Sequence, residues 1–223
     1  FDCHREWAPY GVDRFYNLVK IGFFKDVALF RTLTTPKPFV VQFGIHGDPK
    51  IAQKWQTANL PADPVKQSNL KGRLTYAMAG KPTTRSTQLF INVQDNANLD
   101  GMGFAPLCEI VGNGMDTVMT FYGGYGEKPT GMQGKIVAEG NSFLKSQFPE
   151  LDYIKSASLV DMAIPPPAPS AAPSADPMAS ASAAPSASAA PSASAAPSAS
   201  AAPSAKAGAS AAPKASSAPK ATK

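Results

Sequence analysis

Between Lys71 and Phe104 the chain reads KGRLTYAMAGKPTTRSTQLFINVQDNANLDGMGF. Two short β-type runs, Leu74 to Met78 and Gln88 to Val93, are separated by a Gly, Pro, Thr and Ser cluster of the kind that makes a loop. Both runs are uncharged, and Asp95, Asn96, Asn98, Asp100 and Gly101 then turn the chain toward Phe104. A strand pair flanked by loops with amide and aromatic side chains suits a groove for a mostly neutral ligand. It also narrows the fold class, because many strands this short, joined by turn residues, build an antiparallel barrel rather than a layered parallel sheet.

The segments on either side follow the same logic. Phe1 to Trp7 reads as the end of a strand. Pro9 suits the first turn of a helix, Val12, Phe15, Tyr16 and Val19 follow at helical spacing, and Gly22 marks its end; Phe15 and Tyr16 are expected in the core, with Asp13 and Arg14 on a solvated face. Further strands are expected at Val27 to Leu33, Phe39 to Phe43, Leu107 to Val111, Ile136 to Ala138 and Tyr153 to Val160. Gly44 to Pro49 opens an irregular segment running through Asp63 and Pro64. Short helices are expected at Gly114 to Tyr122, with Met115, Val118, Met119 and Tyr122 on one face, and after Asn141, which can cap a turn bearing Phe143 and Leu144. GGYGEKPTG lacks the context of a phosphate loop and reads as a flexible turn.

Composition divides the 223 residues into a domain, 1–162, and a tail, 163–223. The tail is almost wholly Pro, Ala and Ser, with Pro185, Pro191, Pro197 and Pro203 recurring every six residues. Proline at that spacing interrupts any helix, and there is little to bury, so the tail is expected to be disordered. It is read as a solvated spacer, or as an arm whose Lys206, Lys214, Lys220 and Lys223 adhere to an anionic surface. The domain carries 17 Lys and Arg against 15 Asp and Glu, a balance that argues against a specific nucleic-acid partner. Cys3 and Cys108 are expected as two buried small hydrophobes rather than a disulfide. His4 and His46 are the only histidines and no CxxC pair exists, so no metal site is expected, and no apolar run is long enough for a transmembrane segment.

Four blocks, FVVQFGIHGDP (Phe39 to Pro49), TYAMAG (Thr75 to Gly80), STQLFIN (Ser86 to Asn92) and LDGMGFAP (Leu99 to Pro106), carry a resemblance that continues through YGEKPTG, EGNSFL and FPELDYIKSA. In that order the chain resembles the cyclophilin-type peptidyl-prolyl cis-trans isomerases, in a bacterial form, over roughly Arg5 to Val160. The resemblance implies a mainly β fold: a closed eight-stranded antiparallel barrel with two capping helices. It implies an enzyme that accelerates Xaa-Pro isomerisation without a cofactor, as a monomer, on proline-containing peptides and unfolded or folding proteins. The chain starts at Phe1 in what reads as mid-strand, so the family's first strand and any signal peptide are expected upstream. The tail composition favours an exported or periplasmic location over a cytoplasmic one.

The resemblance also names a site. In the family an Arg following an aromatic near the end of a strand supplies the catalytic donor, and Phe30-Arg31 matches it. Arginine is always charged and has fixed donor geometry, so it can act on a prolyl nitrogen without a pKa adjustment. The family usually places the Phe of the FVVQFG block five steps later; here Phe39 lies eight steps on. If the extra residues bulge outward, Arg31 keeps its place. If they shift the register by an odd number, Arg31 leaves the groove. The chain would then be a catalytically weak module that binds proline peptides. A third reading is an envelope or scaffold protein acting through its tail. Matching positions give Phe39, Val40, Phe90, Leu99 and Phe104 as the proline pocket and Gln42 and Gln88 as polar groove residues. Ala77 and Met78 match the segment that lies beside the substrate chain. Phe104 stands where many eukaryotic members have His, and Asn98 where many have Trp, which counts against tight cyclosporin binding.

Overall fold

The computed structural model describes residues 1–160, and the expected tail lies outside the described residues. Eight strands form: β1 (Asp2–Cys3), β2 (Val27–Ala28), β3 (Arg31–Thr32), β4 (Val40–Phe43), β5 (Arg73–Tyr76), β6 (Leu89–Asn92), β7 (Pro106–Glu109) and β8 (Tyr153–Ile154). They are interspersed with helices α1 (Pro9–Lys20), α2 (Pro49–Gln56), α3 (Gly114–Val118) and α4 (Gln133–Gln147). Six strands make one antiparallel sheet in the order β1-β7-β5-β6-β4-β3, and β2 pairs with β8 in a second sheet of two strands. The fold is mostly β with helices, as expected, and among the described residues the strands fall into two sheets rather than one closed barrel. The break lies at Leu29 and Phe30. Leu29 is buried in one apolar cluster and Phe30 in another, so the run from Val27 to Leu33 splits into two strands that serve both.

Alternation along the strands decides what each one buries. Val41 and Phe43 of β4, Leu74 and Tyr76 of β5, and Leu89 and Ile91 of β6 enter the main core with Leu18 and Val19 of α1. A second cluster joins Ala52 of α2 to Ile136, Phe143 and Leu144 of α4. This explains why Ile136 to Ala138, expected as a strand, is helical: Ile136 shares a buried face with Phe143 and Leu144. The helix kinks at Gly140, where φ is 62° and a Cβ would overlap the carbonyl oxygen of Gly47.

Other expectations are corrected as well. Within α1, Phe15 packs half-buried against the main core as expected, but Tyr16 is exposed, because the fully buried positions are Gly11, Leu18 and Val19. Arg14, expected on a solvated face, instead donates to the carbonyls of Ala58 (2.7 Å) and Ser86 (3.1 Å). Part of the segment expected to be irregular is α2, with Asp48 accepting from the Lys50 amide at 2.8 Å and Pro49 in the first turn. Cys3 and Cys108 stand directly opposite each other in the β1–β7 register and form a disulfide, a pairing hidden by their separation of 105 residues. The helix at Gly114 ends at Val118, leaving Met119 and Tyr122 exposed, and the last strand shrinks to β8.

The segment between α2 and β5 is tied down by a buried ion pair. Asp63 Oδ1 accepts from the Tyr10 amide at 3.0 Å, and Oδ2 accepts from the Gly11 amide and from Arg85 Nη1, both at 2.9 Å. Arg85 also donates through Nε to the Pro82 carbonyl at 2.9 Å and through Nη2 to the Pro61 carbonyl. Both side chains are essentially free of solvent contact, so removing one partner leaves the other's charge uncompensated in the interior. Asp63→Ala is expected to lower the free energy of unfolding by about 3–5 kcal/mol, measured by urea titration. A loss below about 1 kcal/mol would mean that water reaches Arg85 after all.

Candidate active site

Arg31 lies on the sheet face opposite the main core. β3 pairs with β4 so that Arg31 is opposite Gln42, and the β4–β6 register puts Gln42 opposite Phe90, which in turn is opposite Thr75 of β5. Directly paired residues project to the same face, so these four side chains form one row across four strands. The Leu33 amide donates to Val40 (3.0 Å) and the Phe39 amide to Leu33 (2.9 Å). The additional residues are thus taken up in the connection from Thr34 to Pro38, and Arg31 stays in register with Gln42.

A chain of polar contacts runs along this face. Arg31 Nη1 donates to Gln42 Oε1 at 3.1 Å, Gln42 Nε2 to Gln88 Oε1 at 2.9 Å, and Gln88 Nε2 to Gln133 Oε1 at 3.0 Å. Glu127 closes the other side of the guanidinium, accepting from Nε at 2.9 Å and Nη2 at 2.6 Å. Beside these polar contacts, Val40, Phe90 and Leu99 form a buried apolar cluster of their own, with Phe39, Ala77 and Phe104 packed against it. The rings of Phe90 and Phe104 meet edge to face at 5.7 Å, and the Arg31 guanidinium lies 5.3 Å over the ring of Phe39. The polar row and the apolar cluster therefore join at Phe39. Of the expected site residues, only Met78 is absent from both, half-buried just beyond β5. Away from this face, a cavity of about 740 Å³ between the end of α1 and α2 is lined by Phe23, His46, Lys50 and Trp55 among others.

The amide-rich loops hold the cluster from below. Asn69 Nδ2 donates to Asp100 Oδ1 at 2.7 Å and to the Phe104 carbonyl at 2.9 Å, while Asn69 Oδ1 accepts from the Thr75 hydroxyl at 2.8 Å. Asn96 Nδ2 donates to the Phe39 carbonyl at 3.0 Å and to Asn92 Oδ1 at 2.8 Å. Both partly open walls of the cluster are thus fixed through their own backbone. Asn69, Asn92 and Asn96 are buried, and such groups hold their place only when satisfied. Sequence reasoning noted the amides as groove chemistry and missed this supporting role; Asn69 lies in a separate stretch of the chain from Asn92 and Asn96 and meets them only in the fold.

Burial raises the Asp100 carboxyl, but hydrogen bonds from Ser68 and Asn69 and the charge of Arg73 outweigh it and hold it below the usual carboxylate range. A depressed carboxylate contributes stability that is complete above its unfolded value of about 3.9 and is lost as pH falls through its lower folded value. The thermal midpoint is accordingly expected to fall as pH drops below about 4, and Asp100→Asn to flatten that acid limb, checked by melts across this range.

Residues 1–137 match the family model described as "Cyclophilin type peptidyl-prolyl cis-trans isomerase/CLD". Among solved structures, the chain is similar to a Cryptosporidium parvum cyclophilin type peptidyl-prolyl cis-trans isomerase crystallised in the presence of the dipeptide Ala-Pro. Identity is 21% and the TM-score 0.43, over 54% of this chain and 78% of that one. It is also similar to the cyclophilin AquaCyp293 from Hirschia baltica, at 13% identity and a TM-score of 0.40, over 54% of this chain and 62% of that one. A search of curated proteins finds no match.

Proposed function

The chain belongs to the cyclophilin-type peptidyl-prolyl cis-trans isomerase family, and from that premise we propose that it accelerates Xaa-Pro isomerisation in peptides and in unfolded or folding proteins, with Arg31 as the donor. The observation that supports this most is the meeting of a guanidinium and an apolar cluster on one ring, Phe39. An Xaa-Pro bond turns slowly because its partial double-bond character sets a barrier of about 18–20 kcal/mol. The proline ring enters the cluster lined by Phe90, Leu99 and Phe104 and is held there while the flanking peptide twists. As the amide leaves planarity its nitrogen lone pair becomes available, and an Arg31 N–H donates to it. That bond is stronger in the transition state than in the planar ground state, which is the condition for catalysis. Gln42 and Gln88 offer hydrogen bonds to the peptide backbone, and Ala77 and Met78 flank the substrate chain. No nucleophile and no proton transfer are required. The protein works as a monomer in this reading, and the Cys3–Cys108 disulfide favours an oxidising compartment such as an exported location.

The test is the cis-to-trans rate of an Ala-Pro peptide with the intact protein and with Arg31→Ala, at equal folded concentration. Arg31→Ala is expected to lower kcat/KM by about 10²–10³-fold, the loss typical of one preorganised donor, while peptide binding persists. Binding by the intact, folded protein without acceleration would replace this reading with the proline-peptide binding module.

A further inference from the structure

The glycine-rich block that reads as a flexible turn carries Glu127, 96 residues from Arg31, and we infer that Glu127 is a positioning residue that sets the direction of the Arg31 donors. The inference rests on the isomerase reading above and adds to it a residue that the sequence did not single out. The carboxylate binds the guanidinium side-on, through Nε and Nη2, which fixes the plane of the fork as well as its position. Of the five N–H groups on an arginine, two are taken by Glu127 and one by Gln42. The two that remain, one on Nη1 and one on Nη2, are the only donors left for a peptide.

Exposure decides what the pair is for. Arg31 is 19% exposed but Glu127 is 56% exposed, so the pair is solvent-screened and contributes little to stability. Its consequence is orientation. Without Glu127 the guanidinium keeps only its bond to Gln42 and its contact with Phe39, and a long side chain with much rotamer freedom regains a route to solvent.

The carboxylate itself is held by a loop that is anchored elsewhere. The Tyr125 ring packs at 5.1 Å from both Tyr122 and Phe148, and its hydroxyl accepts from the Glu150 amide at 3.2 Å. The Tyr122 amide donates to Asp152 Oδ2 at 2.7 Å. Gly123 lies against β3 itself: a Cβ there would stand 3.2 Å from the Thr32 carbonyl oxygen, so the loop approaches the arginine's own strand more closely than a side chain comfortably allows. The segment is a platform docked on the strand that bears Arg31, with Glu127 facing the guanidinium.

The experiment compares kcat and KM for an Ala-Pro peptide in the intact protein, Glu127→Ala, Glu127→Gln, Arg31→Ala and the double variant Arg31→Ala with Glu127→Ala. A misdirected donor costs up to about 100-fold, so Glu127→Ala is expected to lower kcat by roughly 10- to 100-fold with KM unchanged. Glu127→Gln, which keeps one acceptor oxygen, is expected to recover part of that loss. In the Arg31→Ala background, loss of Glu127 is expected to have no further effect. A second readout is independent of turnover: the Arg31 Nε–H resonance is expected to be protected from solvent exchange in the intact protein and unprotected in Glu127→Ala. Full kcat in Glu127→Ala, or an equal loss with and without Arg31, overturns the positioning role while leaving the isomerase reading intact. An intact protein that does not accelerate isomerisation overturns both.

Discussion

Asp63 and Arg85 form the contact on which the rest of the architecture hangs. Neither charge reaches water, and each is satisfied several times over, which is the condition under which a buried pair is tolerated. The carboxylate does the work of a helix cap that the sequence does not supply locally, since the residue before α1 is Ala8 and makes no side-chain bond to the first turn. The guanidinium reaches carbonyls on two separate loops. One pair therefore fixes the start of α1, the segment after α2 and the connection between β5 and β6. That connection delivers Ala77 on one side and Gln88 on the other to the groove, so the geometry of the site inherits its rigidity from a pair that never touches it.

The sheet turns this rigidity into two chemically different surfaces. With a period of two, the residues that fill the core leave their neighbours on the other face, and β4 and β6 are apolar at nearly every position because both faces are covered. On the outer face the cluster around Phe90 stays accessible at Phe39 and Phe104, and the buried asparagines below hold those two rings through their backbones. In the reading proposed above, an apolar seat for the proline ring and a fixed cation at its edge require no titrating group, so the site would work by shape and direction rather than by acid and base.

The blocks from Phe39 to Pro106 made the strands, and the residues that come together in the apolar cluster and the polar row, legible from sequence, because a strand's period and its motif residues are local. What sequence reasoning missed was set by contacts distant along the chain. Cys3 and Cys108 meet only through the β1–β7 register, and Ile136 is helical because Phe143 and Leu144 share its buried face. The expected run from Val27 to Leu33 is interrupted where Leu29 and Phe30 are drawn to different clusters, a choice no local pattern encodes. Helix α2 is the exception: Asp48-Pro49 is a locally legible cap and first turn, inside a segment expected to be irregular. Tyr16 shows the opposite error, since helical spacing identified an apolar stripe but not its depth.

The edge of the large sheet explains why Arg31 needs support from outside it. β3 is two residues long and, among the described residues, is paired only with β4, so one flank of the strand has no ladder partner there. An edge of this kind must be covered or blunted. Here the glycine-rich loop lies against Thr32, and the lengthened connection from Thr34 to Pro38 leaves the same strand at its end. The two features that look most irregular in the sequence therefore converge on a two-residue edge strand of the sheet. The longer hairpin preserves register because its closing bonds, Leu33 to Val40 and Phe39 to Leu33, are made before and after the additional residues. The loop then supplies through Glu127 the second point of attachment that a four-residue ladder gives to side chains elsewhere, and the arginine is directed by a residue that sheet pairing alone would never bring near it.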